Sequence, residues 1–230
     1  MTLAGALLAI LRAQIDGRTA EWLTTSIDEA AGGELPRLLH IYTDASRWLG
    51  SAPLVLDVAD TSRSRALAGI PMQHWAIEDA GRIVFLLTRF DARRDSGDDC
   101  VAAAAACYEQ GDTREQRSWL RTAGLLPRPE LLLPLVIDAC RTSIVPLFEA
   151  IACENPFPAT HFPDRNFNQL VLKALFNGIA MRRIVGLTSR LNPELSRMAC
   201  DYANERRAAG RPVPADISTV STGGATARYH

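Results

Sequence analysis

Apolar residues recur at helical spacing along almost the whole chain. That period predicts ten helices, at about 3–15, 20–31, 36–49, 77–90, 98–110, 113–124, 129–141, 143–154, 164–178 and 193–209. One short run, Leu54-Val55-Leu56-Asp57-Val58, reads as β-like, and it follows Pro53 in a connector. No strand–helix alternation appears. The expected fold is all-α, with about ten helices in a bundle or in stacked, solenoid-like helix pairs. Residues 1–211 are expected to form a single helical domain, with an N-terminal group at 1–59, a connector at 60–73 and the main part at 74–211. The remainder, 212–230, loses periodicity, fills with Ser, Thr, Gly and Ala, and is expected to be a disordered tail beyond about Val220.

Local chemistry marks several boundaries. Asp112 caps the helix it precedes, with Glu115 at the capping-box position three residues on. Asn192-Pro193-Glu194 joins an N-cap, a proline at the first helical position and an acid favoured by the helix dipole. Gly210 and Pro212 end that helix. Pro146 removes a helix hydrogen bond and clashes with the carbonyl four residues back, which places a kink or break near Thr142–Ser143.

Composition narrows the function. A formal net charge of -1 argues against nucleic-acid binding, which calls for a basic face. The 230 residues are 47% hydrophobic and 22% charged, as in ordinary globular proteins. Five dispersed cysteines with no CxxC pair point to reduced thiols in a cytoplasmic protein, with Cys100 and Cys107 on one helix face as small core residues. The opening run MTLAGALLAILRAQI is short and lacks a basic leader, and no apolar stretch is long enough to span a bilayer, so an integral membrane protein is not expected. No nucleotide loop, HExxH, GxSxG or EF-hand pattern occurs, and the four histidines are isolated. Neither a cofactor nor a metal is expected.

The segment from Pro134 to Gly178 is different, because polar groups sit among core-forming residues. In the helix from Asp164, Asn166, Gln169, Lys173 and Asn177 fall on one stripe, and Lys173 is the only lysine of the chain. Such a stripe is either a solvent face or the wall of a groove that holds a polar or anionic ligand. Asp138 and Arg141 can pair one turn apart, and on a continuous helix Glu149 would face the same way as Asp138. The bland reading is an ion pair at a helix junction. The alternative sets acids across a cleft from Lys173 for acid–base work. Between these helices runs ENPFPATHFPDRNFNQ, where prolines stiffen the backbone, Phe157, Phe162 and Phe167 anchor it, and His161 lies at the centre. It is either a structural loop or an anion-binding approach to a helix N-terminus. A Cys153–His161 nucleophile pair has spacing alone in its favour.

The run LFEAIACENPFPATHFPDRNFNQLVLKALF, then RIVGL, then RLNPELSRMACDYANERRAAGRPVPADI, resembles the EboA-domain family. The earlier EQGDTREQRSWLRTAGLLPRPELLLPLVIDACRT fits too, so the likeness covers about 105–217. Within the first hundred residues, DASRWLG is the best fragment, and Ser143 stands where the family pattern carries asparagine. The resemblance implies a cytoplasmic helical protein of a bacterial secondary-metabolite cluster, working beside a membrane prenyltransferase of the UbiA type and a sugar-phosphate cyclase. It also implies motif positions at Glu149, Glu154, Asn155, Pro156, Asn168, Gln169 and Lys173.

Taken together, residues and resemblance lead to a metabolite-trafficking protein that binds a small metabolite or its prenylated form and supports its synthesis or export. The expected site is Glu149, Glu154, Asn155, His161, Asn168, Gln169 and Lys173, supported by the Asp138–Arg141 pair. The alternatives are an enzyme using Lys173 with Glu149 or Glu154 as an acid–base pair, and a ligand-free adaptor for other proteins of the cluster.

Overall fold

A computed structural model describes residues 1–56 and 67–221. Thirteen α-helices and no β-strand occur among them. The β-like run contributes only an isolated antiparallel bridge between Pro53 and Ala76, and its residues Asp57 and Val58 lie outside the described residues. Each of the ten helices expected from periodicity is present, most within three residues of its expected ends. Among the described residues no helix is long and apolar enough to cross a membrane. The chain divides into two compact units, Met1–Leu132 and Leu133–His230. The division falls inside the predicted 129–141 helix, where a 3-10 turn at Pro129–Leu132 gives way to α-helix.

The first unit holds α1 (Leu3–Arg12), α2 (Gly17–Gly32), α3 (Leu35–Trp48), α4 (Ile77–Ala92), α5 (Gly97–Glu109) and α6 (Thr113–Thr122). Helix α4 is buried around nearly its full circumference, as a helix inside a domain is. All of its residues but Thr88, Asp91 and Ala92 are buried, and it packs against α1, α2, α3, α5 and α6. Gly81 admits the close approach of α3's end, since a Cβ there would meet Leu49 Cδ1 at 2.1 Å. Arg89 and Arg93 reach the carbonyls at the C-terminal end of α2. Arg89 Nη1 donates to Gly33 O at 2.9 Å and Arg93 Nη2 to Gly32 O at 2.7 Å, placing positive charge at the negative end of the helix dipole. The predicted capping box is in place, with Asp112 Oδ1 accepting from Glu115 N and Glu115 Oε2 from Asp112 N. Of the connector expected at 60–73, residues 60–66 lie outside the described residues, and Leu67 and Met72 beyond them are buried.

The second unit holds α7 (Leu133–Ala139), α8 (Val145–Ala152), α9 (Phe157–His161), α10 (Asp164–Phe176), α11 (Leu187–Arg190), α12 (Pro193–Ala208) and α13 (Ile217–Ser221). The expected break is present, with Pro146 in the first turn of α8, where its missing N–H has no helical partner to lose. Asp138 and Glu149 therefore do not share a continuous helix face. Helix α10 packs against α8 and α12. Asn192 caps α12 through its Oδ1 to Leu195 N at 2.9 Å, and Gly210 past its end takes a φ of 65°.

One expectation is corrected. The loop after Asn155 contains a short helix, α9, made possible by prolines that fall at its start. The aperiodic stretch after 212 also contains a short helix, because Ile217–Ser221 forms α13 and packs onto α12. Val220 is 0% exposed there and its carbonyl accepts from Ser196 Oγ at 3.0 Å. Residues 222–230 lie outside the described residues.

Candidate functional site

The polar stripe of α10 lines a cavity. A space of about 350 Å³ is bounded by Ile137, Cys140 and Arg141 from α7 and the residues after it, and by Phe162, Asn166, Gln169, Leu170 and Lys173. Its size falls within the range of small-molecule sites, and its mixture of apolar wall and a few amides and cations is typical of them. Asn177, one turn further along the stripe, is exposed and outside the cavity.

Lys173 has a structural task in this cavity. Its Nζ donates to Cys140 O at 2.5 Å and Thr142 O at 2.6 Å, the carbonyls left over where α7 ends, and it lies 4.7 Å from the centre of the Phe148 ring. A cation at a helix C-terminus satisfies orphan carbonyls and opposes the dipole. The thiol of Cys140 beside it is pushed up to about 12 by burial, against a smaller pull from the Lys173 charge. At neutral pH it is therefore a thiol and a poor nucleophile.

The two glutamates take a different cation. Arg183 Nε donates to Glu154 Oε1 at 2.9 Å and Nη2 to Oε2 at 3.0 Å, a fork-to-carboxylate pair, while Glu149 Oε1 lies 3.5 Å from Arg183 Nη1. The pairing of Lys173 with Glu149 or Glu154 expected for an enzyme is thus replaced, since the acids close on Arg183 and the lysine on carbonyls. Glu154 N also donates to Arg183 O at 2.8 Å, and Glu154 adopts a φ of 49°, the left-handed region that costs a non-glycine residue about 1–2 kcal/mol. The pair with Glu154 raises the Arg183 pKa further above its ordinary value, an effect partly opposed by burial.

The other expected residues serve the frame or the rim. Asn155 is buried, with Nδ2 donating to Ala150 O and Oδ1 accepting from Phe157 N, which turns the chain from α8 into α9. Asn168 exchanges a reciprocal amide pair with Asn192, at 3.1 and 2.9 Å, and so ties α10 to the cap of α12. His161 is half-buried with its ring 4.7 Å from that of Phe157. Asp138 and Arg141 form the expected pair at 2.9 Å, on the surface, with Arg141 also lining the cavity. The Cys153 thiol is buried and pushed up to about 12 by desolvation, which removes the basis for a Cys153–His161 nucleophile. Gln169, Lys173 and Arg141 therefore come together, and Glu149 and Glu154 meet elsewhere on Arg183.

Sequence reasoning missed two groups. Arg183 was visible only as the first residue of RIVGL, with nothing local to mark its partner. In the first unit, α4 carries Glu78, Asp79 and Arg82 fully inside the core. Arg82 Nη1 donates to Glu78 Oε2 at 3.0 Å and to Ser118 Oγ at 2.9 Å, Nε donates to Tyr42 O, and Ser118 Oγ donates to Asp79 Oδ1. Arg114 and Arg121 close the network from α6, on Glu78 at 2.8 Å and Asp79 at 2.7 Å. Buried charges persist only when paired and hydrogen-bonded in this way. The sequence signal was Glu78, Asp79, Arg82 and Arg89 set among the apolar residues of one helix.

The arrangement in the second unit can hold a small molecule by hydrogen bonds and apolar contact. Of the expected site residues, Asp138, Arg141, Glu149, Glu154 and Lys173 each have a protein partner. Among curated proteins and among solved structures, nothing matches the chain. A family model described as metabolite traffic protein EboA matches residues 4–221, so the likeness extends well beyond the motif-rich 105–217 to both units. The chain belongs to the EboA family.

Proposed function

We propose that this chain binds a small metabolite, or its prenylated form, in the cavity between the end of α7 and the polar face of α10. It would act in synthesis or export as a carrier rather than as a catalyst. The observation that carries this reading is the cavity itself, where Asn166 and Gln169 offer amide donors and acceptors beside Ile137, Leu170 and Phe162. Amides suit hydroxyl or carbonyl groups of a ligand, and the apolar wall suits a hydrocarbon portion. A traffic role agrees with the family description, and partners in the same cluster, including a membrane prenyltransferase, belong to this proposal. Acid–base catalysis is disfavoured because Lys173, Glu149 and Glu154 are engaged by carbonyls and by Arg183.

The test is native mass spectrometry of the protein purified from a host expressing the neighbouring pathway genes, compared with Gln169→Ala. Gln169 is exposed, so its loss should leave the fold intact. A small molecule that co-purifies with the parent and is lost from the variant is the expected result. Bare protein in both samples overturns the proposal, and a co-purifying polypeptide in its place would favour the adaptor.

A further inference from the structure

A second cavity, of about 330 Å³, lies in the first unit where α3 faces the junction of α5 and α6. Its lining includes Pro36, Leu39 and Tyr42 from α3, Cys107 and Gln110 at the end of α5, and Glu115 in the first turn of α6. Two of these residues are in an unusual state. Tyr42 is 1% exposed, yet its hydroxyl finds no hydrogen-bond partner among the described residues. Tyr42 lines the cavity together with Cys107 and Glu115. Burial pushes its pKa well above the ordinary range, which keeps the phenol neutral with lone pairs free to accept.

Glu115 is the second. The residue is 4% exposed and its carboxylate accepts from Asp112 N at 3.0 Å, but no cation forms an ion pair with it among the described residues. The neighbouring buried acids Glu78 and Asp79 differ, each being matched by arginine. A nearly buried carboxylate without a counter-charge is costly, and the dipole of α6 offsets only part of it. His40, the one basic group on the lining, is at the exposed rim and lies 3.2 Å from Asp44.

We propose that this cavity is a binding site for a small organic amine, taken as the ammonium ion. Glu115 neutralises its charge, Tyr42 Oη accepts one of its N–H groups, and Pro36, Leu39 and Cys107 cover its hydrocarbon part. The site belongs to the first unit and is independent of the α7–α10 cavity, so either can fail without the other.

The experiment is calorimetric titration of the intact chain with n-butylamine and 1,4-diaminobutane, with n-butanol and butyrate as matched controls. Saturable binding of an amine, with neither control bound, is expected. Glu115→Gln retains the capping-box hydrogen bond, and it should abolish amine binding while the melting temperature stays close to that of the parent. Tyr42→Phe should weaken binding about tenfold or more, the effect of losing a hydrogen bond to a charged group. Without amine, the same variant should melt higher than the parent, because an unpaired buried hydroxyl is gone. At equal amine concentration the melting temperature of the parent should rise further than that of Tyr42→Phe. Amine affinity that is absent, shared by butanol, or unchanged in Glu115→Gln overturns the proposal.

Discussion

Arg183 grips Glu154 through two parallel hydrogen bonds, Nε to Oε1 at 2.9 Å and Nη2 to Oε2 at 3.0 Å, across 29 residues of chain. The same two residues also join through their backbones, Glu154 N to Arg183 O at 2.8 Å. This double clasp holds Glu154 in the left-handed region that its side chain disfavours. Arg183→Met should therefore destabilise the protein by about 2–3 kcal/mol, the scale of hydrogen bonds to a charged group, and urea denaturation measures it. A loss below a few tenths of a kcal/mol would mean that the clasp is incidental.

The α4 network predicts a larger loss. Arg82→Met removes the buried guanidinium that bonds Glu78 and Ser118, leaving Glu78 with the partly exposed Arg114 alone in a core where both acids are fully buried. Breaking a buried pair by removing one partner costs about 3–5 kcal/mol, so thermal unfolding of this variant should fall well below the parent. Arg121→Met, whose side chain is partly exposed, should cost less.

Lys173 yields a prediction that separates frame from function. Lys173→Met should lower stability by about 1–2 kcal/mol through the freed carbonyls of Cys140 and Thr142, whatever it does to ligand binding. Gln169→Ala should lower ligand retention with stability unchanged. Equal stability losses in the two variants, by the same melting assay, would refute this division of roles.

The thiols fix the alkaline behaviour. Cys107, Cys140 and Cys153 are each pushed from an ordinary 9.0 up to about 12, chiefly by burial. Above pH 9 the unfolded chain loses these protons while the folded chain keeps them, so stability falls as pH rises from 9 towards 12. Cys153→Ala should flatten the decline, measured as the midpoint of urea unfolding against pH. Under native conditions iodoacetamide should label exposed Cys200 long before buried Cys107.

The folded-back tail is also open to test. Val220 is fully buried against α12, so Val220→Asp should release α13 and cost about 2–3 kcal/mol, the scale of burying such a side chain. Proteolysis after 211 should become fast in the variant and remain slow in the parent.

What the sequence by itself determined is local. The helical period located the ten principal helices, and Asp112, Asn192 and Pro146 marked boundaries that the fold keeps, because caps and proline act within a single turn. The same period placed Asn166, Gln169 and Lys173 on one stripe, which is why most of the candidate cavity was legible. Partner choice was not. Lys173 lay on the right face, but only the path of the chain brought it to the end of α7, and only that path carried Arg183 to Glu149 and Glu154. Tertiary packing likewise decided that Glu78, Asp79 and Arg82 turn inward to meet arginines and a serine from α6, and that Val220 finds a face to cover. Charges and apolar groups take their place in a fold according to what long-range contacts offer them, and periodicity records which side of a helix a residue occupies without naming what lies opposite.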